Sequence, residues 1–213
     1  MEGLAKPVVG ALVAYLVGGI PFGLWICRWW SGYDPRQYGS GNIGATNVYR
    51  LLGPKGFIVV LLLDAAKGFG AVQAGAEVCG VHTPWLMVLF GVCAICGANW
   101  SVYLRFKGGK GVGVSLGVGL AVMWKVALSA LVVWIVVVVI TRYVSLSSIA
   151  AGVSVPLFAV AFREHTAIKA FGCVLALLIV IRHRENIKRL ISGTEPKFGA
   201  RIAVQKQAGA EKG

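Results

Sequence analysis

Long apolar runs follow one another along most of the chain, and short polar breaks separate them. The runs cover residues 7–27, 56–76, 84–98, 111–123, 126–141, 145–162 and 167–181. Such runs are typical of membrane-spanning helices, which need roughly 20 apolar residues each. Several runs are shorter, so we expect those spans to be tilted or partial. The pattern predicts an all-α integral membrane protein, with one embedded domain over residues 1–198 and a flexible polar tail over 199–213.

The number of spans depends on residues 111–141. As a single helix they would be about 46 Å long at 1.5 Å per residue. That length exceeds the roughly 30 Å hydrocarbon core of a bilayer, and Lys125 would place a charge near its middle. We therefore expect two short spans joined by a turn near Met123–Lys125, which gives seven transmembrane helices in all.

The distribution of basic residues predicts the orientation of these helices. With seven spans and the N-terminus outside, most of the 21 Lys and Arg residues fall in segments on one side of the membrane. The exceptions are four residues on the other side and one within a span: Lys6, Lys125, Arg163, Lys169 and Lys67. Cytoplasmic loops carry such an excess of basic residues. We therefore expect the N-terminus outside and the C-terminus in the cytoplasm.

Composition agrees with a membrane protein and narrows the possible partners. The chain is 57% hydrophobic and 14% charged, with a mean hydropathy of +0.77, whereas soluble domains are about 25% charged. The net charge of +13 is compatible with nucleic-acid binding. Topology, anionic membrane lipid and a phosphorylated ligand explain it better, so we expect no nucleic-acid partner. Cys93 and Cys96 lack a second pair or a nearby His, so no metal site or cofactor is predicted.

The first polar break, GSGNIGATN at residues 39–47, is rich in groups that bind anions. Its glycines permit positive φ angles and let backbone N–H groups approach a ligand. Its polar side chains belong to Ser40, Asn42, Thr46 and Asn47. Arg50 follows with a planar cation that suits phosphate. A simple glycine-rich turn is the alternative interpretation, and Arg50 favours the ligand loop.

The second break, RFKGGKGVGVSLG at residues 105–117, joins a glycine-rich loop to an apolar helix. Unpaired N–H groups and the helix dipole make such a helix N-terminus an anion site. The motif is not a P-loop, because Gly111 rather than Ser or Thr follows Lys110. The alternative is a basic interfacial anchor followed by close helix packing through small residues.

The third motif is YVSLSS, at residues 143–148, where the sixth span begins. We expect Ser145 to cap this helix. Ser147 and Ser148 either face a site or donate hydrogen bonds to the preceding turn.

The fourth motif, IRHRENIKRL, follows the last apolar run directly. His183 and Asn186 share a helical face if the helix continues. A neutral-capable histidine beside Asn186 and Glu185 is hard to explain as mere membrane anchoring. For the basic residues of this stretch we favour a juxtamembrane stop signal. These residues are Arg182, Arg184, Lys188 and Arg189.

Two charged residues lie within the second apolar run. Asp64 and Lys67 are three residues apart and share a helix face. Isolated charges at membrane depth are unfavourable, so we expect the two side chains to pair, either for stability or close to a site.

Together, these segments resemble the bacterial membrane acyl-phosphate:glycerol-3-phosphate acyltransferases, the PlsY family. The resemblance rests on GSGNIGATNVYR, LLDAAKGF, FKGGKGV, YVSLSSI and RHRENIKRL, in this order, and covers about residues 10–197. It implies a seven-helix enzyme of the bacterial inner membrane whose site faces the cytoplasm. Such an enzyme transfers an acyl group from acyl-phosphate to the 1-hydroxyl of sn-glycerol 3-phosphate, giving lysophosphatidic acid and phosphate in the first step of phospholipid biosynthesis.

The resemblance also implies which residues form the site. Ser40 and Arg50 would belong to the first loop, and the second would hold a phosphate. The phosphate loop would consist of Gly108, Gly109, Lys110 and Gly111. Ser148, His183, Glu185 and Asn186 would complete the site. The chain departs from the family at Ala98, where the family usually has His; an essential histidine there would make this chain inactive, and a packing one would not.

The chemistry of an acyl-phosphate fits these residues. It is a mixed anhydride with a good leaving group, so the protein has only to align the substrates and stabilise the developing charge. We expect the headgroup of glycerol 3-phosphate to contact Arg50, Lys110, His183 and Asn186. Ser40, His183 and Asn186 are the predicted catalytic residues, and either His183 or a substrate phosphate would accept the hydroxyl proton.

The rival hypothesis is a transporter of a phosphorylated lipid precursor. Transporters also contain polar breaks and intramembrane charges, but they place their site near the midplane, commonly between inverted repeats. Here the polar motifs gather on one side, which favours the enzyme.

Overall fold

The computed structural model describes residues 2–199, with side chains described from residue 5 onward. Every regular element in this part of the chain is helical. The α-helices are α1 (Glu2–Gly19), α2 (Phe22–Ser31), α3 (Ala45–Cys79), α4 (Pro84–Asn99), α5 (Val112–Val122), α6 (Trp124–Thr141), α7 (Val144–Ala161), α8 (Thr166–Arg182) and α9 (Arg184–Ile191). Short 3-10 turns at Pro35–Gln37 and Val102–Leu104 lie in the loops. The predicted polar tail lies outside the described residues, except for Gly199.

Helix α3 begins earlier than the apolar pattern predicted. The apolar run starts at residue 56, whereas the helix starts at Ala45 and so includes Arg50. Pro54 would normally end a helix, because it lacks an N–H and its ring collides with the preceding turn. Gly53 absorbs the resulting kink with φ 75° and ψ −161°. Arg50 is therefore carried on a short helical segment at the head of a long helix.

The break predicted within residues 111–141 is confirmed. Met123 has φ −152° and ψ 58°, so α5 ends at Val122 and α6 begins at Trp124. Among the described residues, five helical segments are long and apolar enough to cross a membrane, and the bent α8–α9 pair brings the number to six. Helix α5, with 11 residues, is too short to cross alone. Seven spans with the N-terminus outside stay a prediction.

The helices form two groups that meet along α4, α5 and α8. In the first group α1 packs on α3 and α4, and α3 packs on α5. In the second, α7 lies between α6 and α8. Small residues allow the helices to approach each other closely. A Cβ added at Gly97 would overlap the carbonyl of Tyr15, and a Cβ added at Gly117 would overlap the carbonyl of Ala65. The groups join where α4 contacts α8 and α5 contacts α6, leaving a cavity between them.

The predicted pair between Asp64 and Lys67 is confirmed, with Nζ 2.7 Å from the carboxylate. Lys67 Nζ also donates to the carbonyl of Ile20 at 2.6 Å. That carbonyl lies at the break between α1 and α2, where Pro21 interrupts the helical hydrogen bonds. The ammonium therefore neutralises a partly buried carboxylate and satisfies a backbone acceptor that the break leaves open.

We predict that Lys67→Ala strongly destabilises the protein, because it leaves both Asp64 and the carbonyl of Ile20 without a partner. Removing one member of a buried ion pair costs about 3–5 kcal/mol. Thermal unfolding in detergent should show a clear fall in midpoint. The control is Lys125→Ala, because Lys125 is exposed at the start of α6. Equal midpoints for the two variants would contradict this role.

Candidate active site

One cavity lies between the two helix groups and has a polar end and an apolar branch. The polar end is formed by the loop before α3, the loop before α5, the first turn of α7 and the junction of α8 with α9. The apolar branch runs between α5, α6, α7 and α8. Most of the residues predicted from sequence line the polar end: Ser40, Asn42, Thr46, Asn47, Arg50, Gly109, Lys110, Gly111, Ser148, His183 and Asn186.

Two helix N-termini meet at the polar end. Helix α3 starts after Gly44 and α5 starts after Gly111, and neither start has a side-chain cap. The first N–H groups of a helix have no partner within it and carry partial positive charge. Gly111 has φ 71°, which turns the chain sharply into α5. Both helix starts line the cavity, so backbone donors of both face the same space, an arrangement that suits an anion.

The amide of Asn47 shapes the first loop. Asn47 is buried, and its Nδ2 donates to the carbonyls of Pro35, Tyr38 and Asn42 at 2.8, 3.1 and 2.8 Å. Its Oδ1 accepts from the backbone N–H of Ser40 at 3.0 Å. Asn47 was predicted to bind substrate, but its polar atoms are occupied by the loop, so it positions the residues that face the cavity.

Asn42 has a similar local function, because its Oδ1 accepts from the N–H of Gly44 at 2.9 Å. This bond fixes the residue that precedes α3. Ser40 and Thr46 line the cavity on either side of this turn. The loop therefore offers its hydroxyls and the start of α3 to a ligand.

The glycine loop before α5 is fixed by α4 and α8. The N–H of Gly109 donates to the carbonyl of Ala98 at 2.9 Å. Arg182 Nη2 donates to the carbonyl of Gly109 at 2.5 Å, and its guanidinium lies 5.3 Å from the ring centre of Trp100. Arg182 is therefore a loop support, and its interpretation as a simple membrane stop residue is wrong. The Ala98 bond uses backbone alone, so the side chain at position 98 is not needed for it.

Gly108 lies outside the cavity lining. A Cβ at this position would overlap the carbonyl oxygen of Ala98 and approach the backbone of Asn99 at 2.9 Å. Its predicted role in substrate binding is therefore corrected to close packing of the loop against α4. Gly109 and Gly111 remain in the lining.

Among the described residues that line the cavity, Lys67 is paired with Asp64 and Arg189 with Glu195. The other basic residues of the lining are Arg50 and Lys110. Arg50 is half-buried and makes no side-chain hydrogen bond or ion pair within the described residues. The ammonium of Lys110 donates to Oδ1 of Asn186. Burial lowers the pKa of Lys110 to about 8, the charges of Arg189, Arg50 and Arg182 lower it too, and the charge of Glu195 opposes them. Lys110 is therefore cationic at neutral pH and loses its charge as the pH rises through about 8.

Glu195 is a site residue that the sequence analysis missed. It is only 8% exposed. Its Oε1 accepts from Ser145 Oγ at 2.7 Å and from Asn186 Nδ2 at 2.6 Å, and its Oε2 accepts from Arg189 Nε at 2.7 Å. Burial alone would raise the pKa of Glu195, but the hydrogen bonds from these three residues lower it. Glu195 is therefore an anion that balances the cations of the polar end.

This network corrects two of the interpretations made from sequence. Ser145 was expected to cap α7, but the helix has no side-chain cap and Ser145 donates to Glu195 instead. Arg189 was assigned to a membrane stop signal, whereas it pairs with Glu195 and lines the cavity. Arg184 and Lys188 are exposed, as that signal predicts.

Glu185 was predicted to bind substrate, and the structure contradicts this. Its side chain is 58% exposed and pairs at the surface with Arg184 and Lys188 at 3.5 and 3.4 Å. It does not line the cavity. The sequence contained a usable signal for Glu195. The chain between Glu185 and Glu211 is strongly basic, and Glu195 is its single acidic residue.

His183 lies at the bend between α8 and α9, just beyond the last residue of α8. It is buried, and its Nδ1 is 2.8 Å from the carbonyl of Ile179. A carbonyl only accepts, so Nδ1 carries the proton and Nε2 of the neutral ring is an acceptor. Burial, followed by the charge of Lys110, lowers the pKa of His183 to about 4. The ring is therefore neutral at pH 7.

Ser148 lies opposite, on α7. Its Oγ donates to the carbonyl of Val144 at 2.8 Å and accepts from Trp134 Nε1 at 3.2 Å. Ser147 bonds only the preceding turn, through the carbonyl of Tyr143. Of the two serines, Ser148 is the one that lines the cavity, and Trp134 lies beside it at the start of the apolar branch.

A bundle of membrane helices that holds an anion site beside an apolar branch is suited to a phosphorylated lipid substrate. The family model described as glycerol-3-phosphate acyltransferase matches residues 8–193. A glycerol-3-phosphate acyltransferase of Synechococcus sp. (strain JA-3-3Ab) is 42% identical, over 95% of this chain and 98% of the relative. One of Desulforudis audaxviator (strain MP104C) is 48% identical, over 94% and 100%. This chain belongs to the glycerol-3-phosphate acyltransferase family.

Solved structures agree with this assignment. PlsY, an integral membrane glycerol 3-phosphate acyltransferase, has been solved in a glycerol 3-phosphate form that matches with a TM-score of 0.84 and 40% identity. The match covers 92% of this chain and 96% of PlsY. Its lysophosphatidic acid form matches with a TM-score of 0.82 and 38% identity. The predicted all-α membrane fold and the resemblance to the PlsY family are therefore confirmed.

We predict that Glu195→Gln makes ligand binding more sensitive to alkaline pH. Glu195 raises the pKa of Lys110, so the neutral variant should lose the Lys110 cation at a lower pH, while Gln can still accept from Ser145 and Asn186. The measurement is the affinity for glycerol 3-phosphate between pH 7 and 10, where the phosphate, with a second pKa of about 6, is already a dianion. Glu185→Gln is the matched control, and equal pH dependence in both variants would contradict the prediction.

Proposed function

We propose that this protein transfers a fatty acyl group from acyl-phosphate to the 1-hydroxyl of sn-glycerol 3-phosphate, giving lysophosphatidic acid and phosphate. The observation that carries the proposal is the continuity of the cavity. A cationic, N–H-rich end that suits two phosphates opens into an apolar branch that suits an acyl tail. Membership of the acyltransferase family supports it.

The proposal also covers where in the cell the reaction takes place. The resemblance to the PlsY family implies the bacterial inner membrane, and the excess of basic residues in one set of loops favours a site that faces the cytoplasm. The product, an acylated glycerol phosphate, is the simplest phospholipid precursor, so the reaction would begin phospholipid biosynthesis. The acyl tail would stay in the hydrophobic part of the membrane throughout.

Each substrate phosphate has its own partners in this proposal. Arg50 and Lys110 hold the phosphate of glycerol 3-phosphate, because neither forms an ion pair within the described residues. Lys67 and Arg189 also line the cavity, but each is paired with a carboxylate. Asn186 orients Lys110 through their hydrogen bond. The N–H groups at the starts of α3 and α5, together with Ser40 and Thr46, hold the acyl-phosphate. These donors also stabilise the negative charge that develops on the acyl carbonyl oxygen.

The reaction needs no nucleophile from the protein. The 1-hydroxyl oxygen attacks the acyl carbonyl carbon, and the bond from that carbon to the phosphate oxygen breaks. The leaving phosphate keeps the bonding electrons and takes up one proton, so the hydroxyl proton is balanced within the reaction. The protein aligns the two substrates in a near-attack arrangement, which is a large part of catalysis in acyl transfer.

His183 positions the hydroxyl in this mechanism. Its Nε2 accepts the hydrogen bond of the 1-hydroxyl, because Nδ1 is occupied by the carbonyl of Ile179. A ring with a pKa of about 4 is a weak base. The proton therefore ends on the leaving phosphate, which becomes a strong base as its bond to carbon breaks.

The central test is phosphate release from palmitoyl-phosphate by the purified protein, with and without glycerol 3-phosphate. We expect release that depends on glycerol 3-phosphate, with lysophosphatidic acid as the product. Arg50→Gln should raise the KM for glycerol 3-phosphate by about 10-fold or more, since a hydrogen bond to a charged group contributes about 1.5–3 kcal/mol. Arg184→Gln, at the exposed start of α9, is the matched control. Release without acceptor dependence would overturn the proposal.

We predict that His183→Gln raises the KM for glycerol 3-phosphate and leaves the shape of the pH–rate profile unchanged. Gln retains a hydrogen-bond acceptor but cannot take a proton at neutral pH. The profile of kcat/KM should be recorded from pH 3 to 9 for both proteins, so that it includes the pKa of His183 at about 4. General bases contribute about 10²–10⁴-fold, so a loss of that size in kcat together with a lost acidic limb would assign the proton transfer to His183.

A further inference from the structure

The apolar branch of the cavity is lined by one face of each of four helices. On α6 the lining residues recur at three- and four-residue spacing: Ala127, Ala130, Leu131 and Trp134. On α7 they are Ser148, Ala151, Gly152 and Val155, and on α8 they are Leu175, Ile179 and His183. Helix α5 contributes Ser115, Leu116 and Gly119. Each spacing places the residues on a single helical stripe, so the branch runs parallel to the helices.

Met123 lies at the far end of this branch. It is buried at the bend where α5 turns into α6. Gly111, at the other end of α5, lines the polar end of the same cavity. Met123 is twelve positions after Gly111, and at 1.5 Å per residue the two are about 18 Å apart. The branch therefore extends along the whole of α5.

Small side chains keep the middle of the branch open, and larger ones surround its end. Ala127, Ala130 and Gly152 lie along its walls and are buried. Val155 and Leu175, also buried, lie at the same depth on α7 and α8. Val155 is about 10 Å along α7 from Ser148, and Leu175 about 12 Å along α8 from His183, at 1.5 Å per residue. By this measure Met123 lies further from the polar end than Val155 or Leu175 does.

An extended acyl chain advances by about 1.3 Å per methylene, given carbon–carbon bonds of about 1.5 Å. The 18 Å length of α5 therefore corresponds to roughly 14 carbons at that rise. A longer tail has to bend or to leave the branch sideways into the lipid. In either case the extra carbons lose their contacts with α5 and α6.

We propose that Met123 closes the acyl branch and that its side-chain volume sets the preferred length of the acyl chain. The proposal rests on the proposed function, because it assigns the branch to the acyl group of acyl-phosphate. Met123 is unbranched, and its apolar side chain fills the end of the branch. Acyl chains that reach no further than Met123 are accommodated, and longer ones are disfavoured. We expect the protein to prefer myristoyl-phosphate over stearoyl-phosphate.

The test is a competition in vesicles that contain equal amounts of lauroyl-, myristoyl-, palmitoyl- and stearoyl-phosphate. Mass spectrometry of the lysophosphatidic acids gives the ratios of kcat/KM directly. Met123→Ala lengthens the branch and should raise the stearoyl-to-myristoyl product ratio about 10-fold, the usual discrimination of an apolar pocket against added methylenes. Ala130→Leu narrows the middle of the branch and should raise the lauroyl-to-palmitoyl ratio by a similar factor.

Met87→Ala is the matched control, because Met87 packs on the core from α4 and does not line the cavity. Its product ratios should equal those of the unsubstituted protein. Ratios are internal to each sample, so a smaller folded fraction does not change them. If Met123→Ala is inactive, Ala130→Leu decides the question.

Two failures can be told apart. If the unsubstituted protein makes no lysophosphatidic acid from any of the four donors, the proposed function itself is wrong. If it makes lysophosphatidic acid but the active variants at positions 123 and 130 keep the original product ratios, the role of Met123 in selecting chain length is overturned.

Discussion

The hydrogen bonds from Lys110 through Asn186 to Glu195 hold the polar end of the cavity together. They connect the glycine loop before α5, helix α9 and the segment that follows it. Like charges in a partly buried site repel more strongly than in water, and Arg50 and Arg189 lie close to Lys110. The carboxylate of Glu195 offsets this repulsion. The neutral amide of Asn186 lies between the two charges, because it accepts from Lys110 and donates to Glu195.

A site that binds two phosphates, as proposed here, has to attract anions and still be stable when it is empty. Full cations alone would make the empty site unfavourable, since each buried charge loses hydration. The chain instead combines a few cations with the helix starts after Gly44 and Gly111. Backbone N–H groups carry only partial charge, and the lack of side-chain caps leaves them available to a ligand.

Much of this arrangement could be predicted from the sequence, where local chemistry determines the result. The charge at Lys125 and the limited thickness of a bilayer predicted the break at Met123. Helical spacing placed His183 and Asn186 on one face, and both line the cavity. Such features depend on short stretches of chain, so composition and periodicity suffice to find them.

Other features depend on contacts between distant segments, and sequence patterns did not predict them. The family resemblance placed Glu185 in the site, whereas the chain reverses after α9 and brings Glu195 to Ser145. No periodicity encodes the direction of a loop. The early start of α3 was missed for a related reason, because Gly53 has to adopt a positive φ before Pro54 can be tolerated within the helix.

The position of Glu195 late in the chain has a consequence for biosynthesis. Chains are made from the N-terminus and fold in that order, so the glycine loop and Lys110 enter the membrane well before Glu195 has been synthesised. Until then the cations of the polar end lack their acidic partner. Anionic lipid headgroups are the nearest substitute. The polar end therefore reaches its own balance of charge only after the segment that follows α9 has been made.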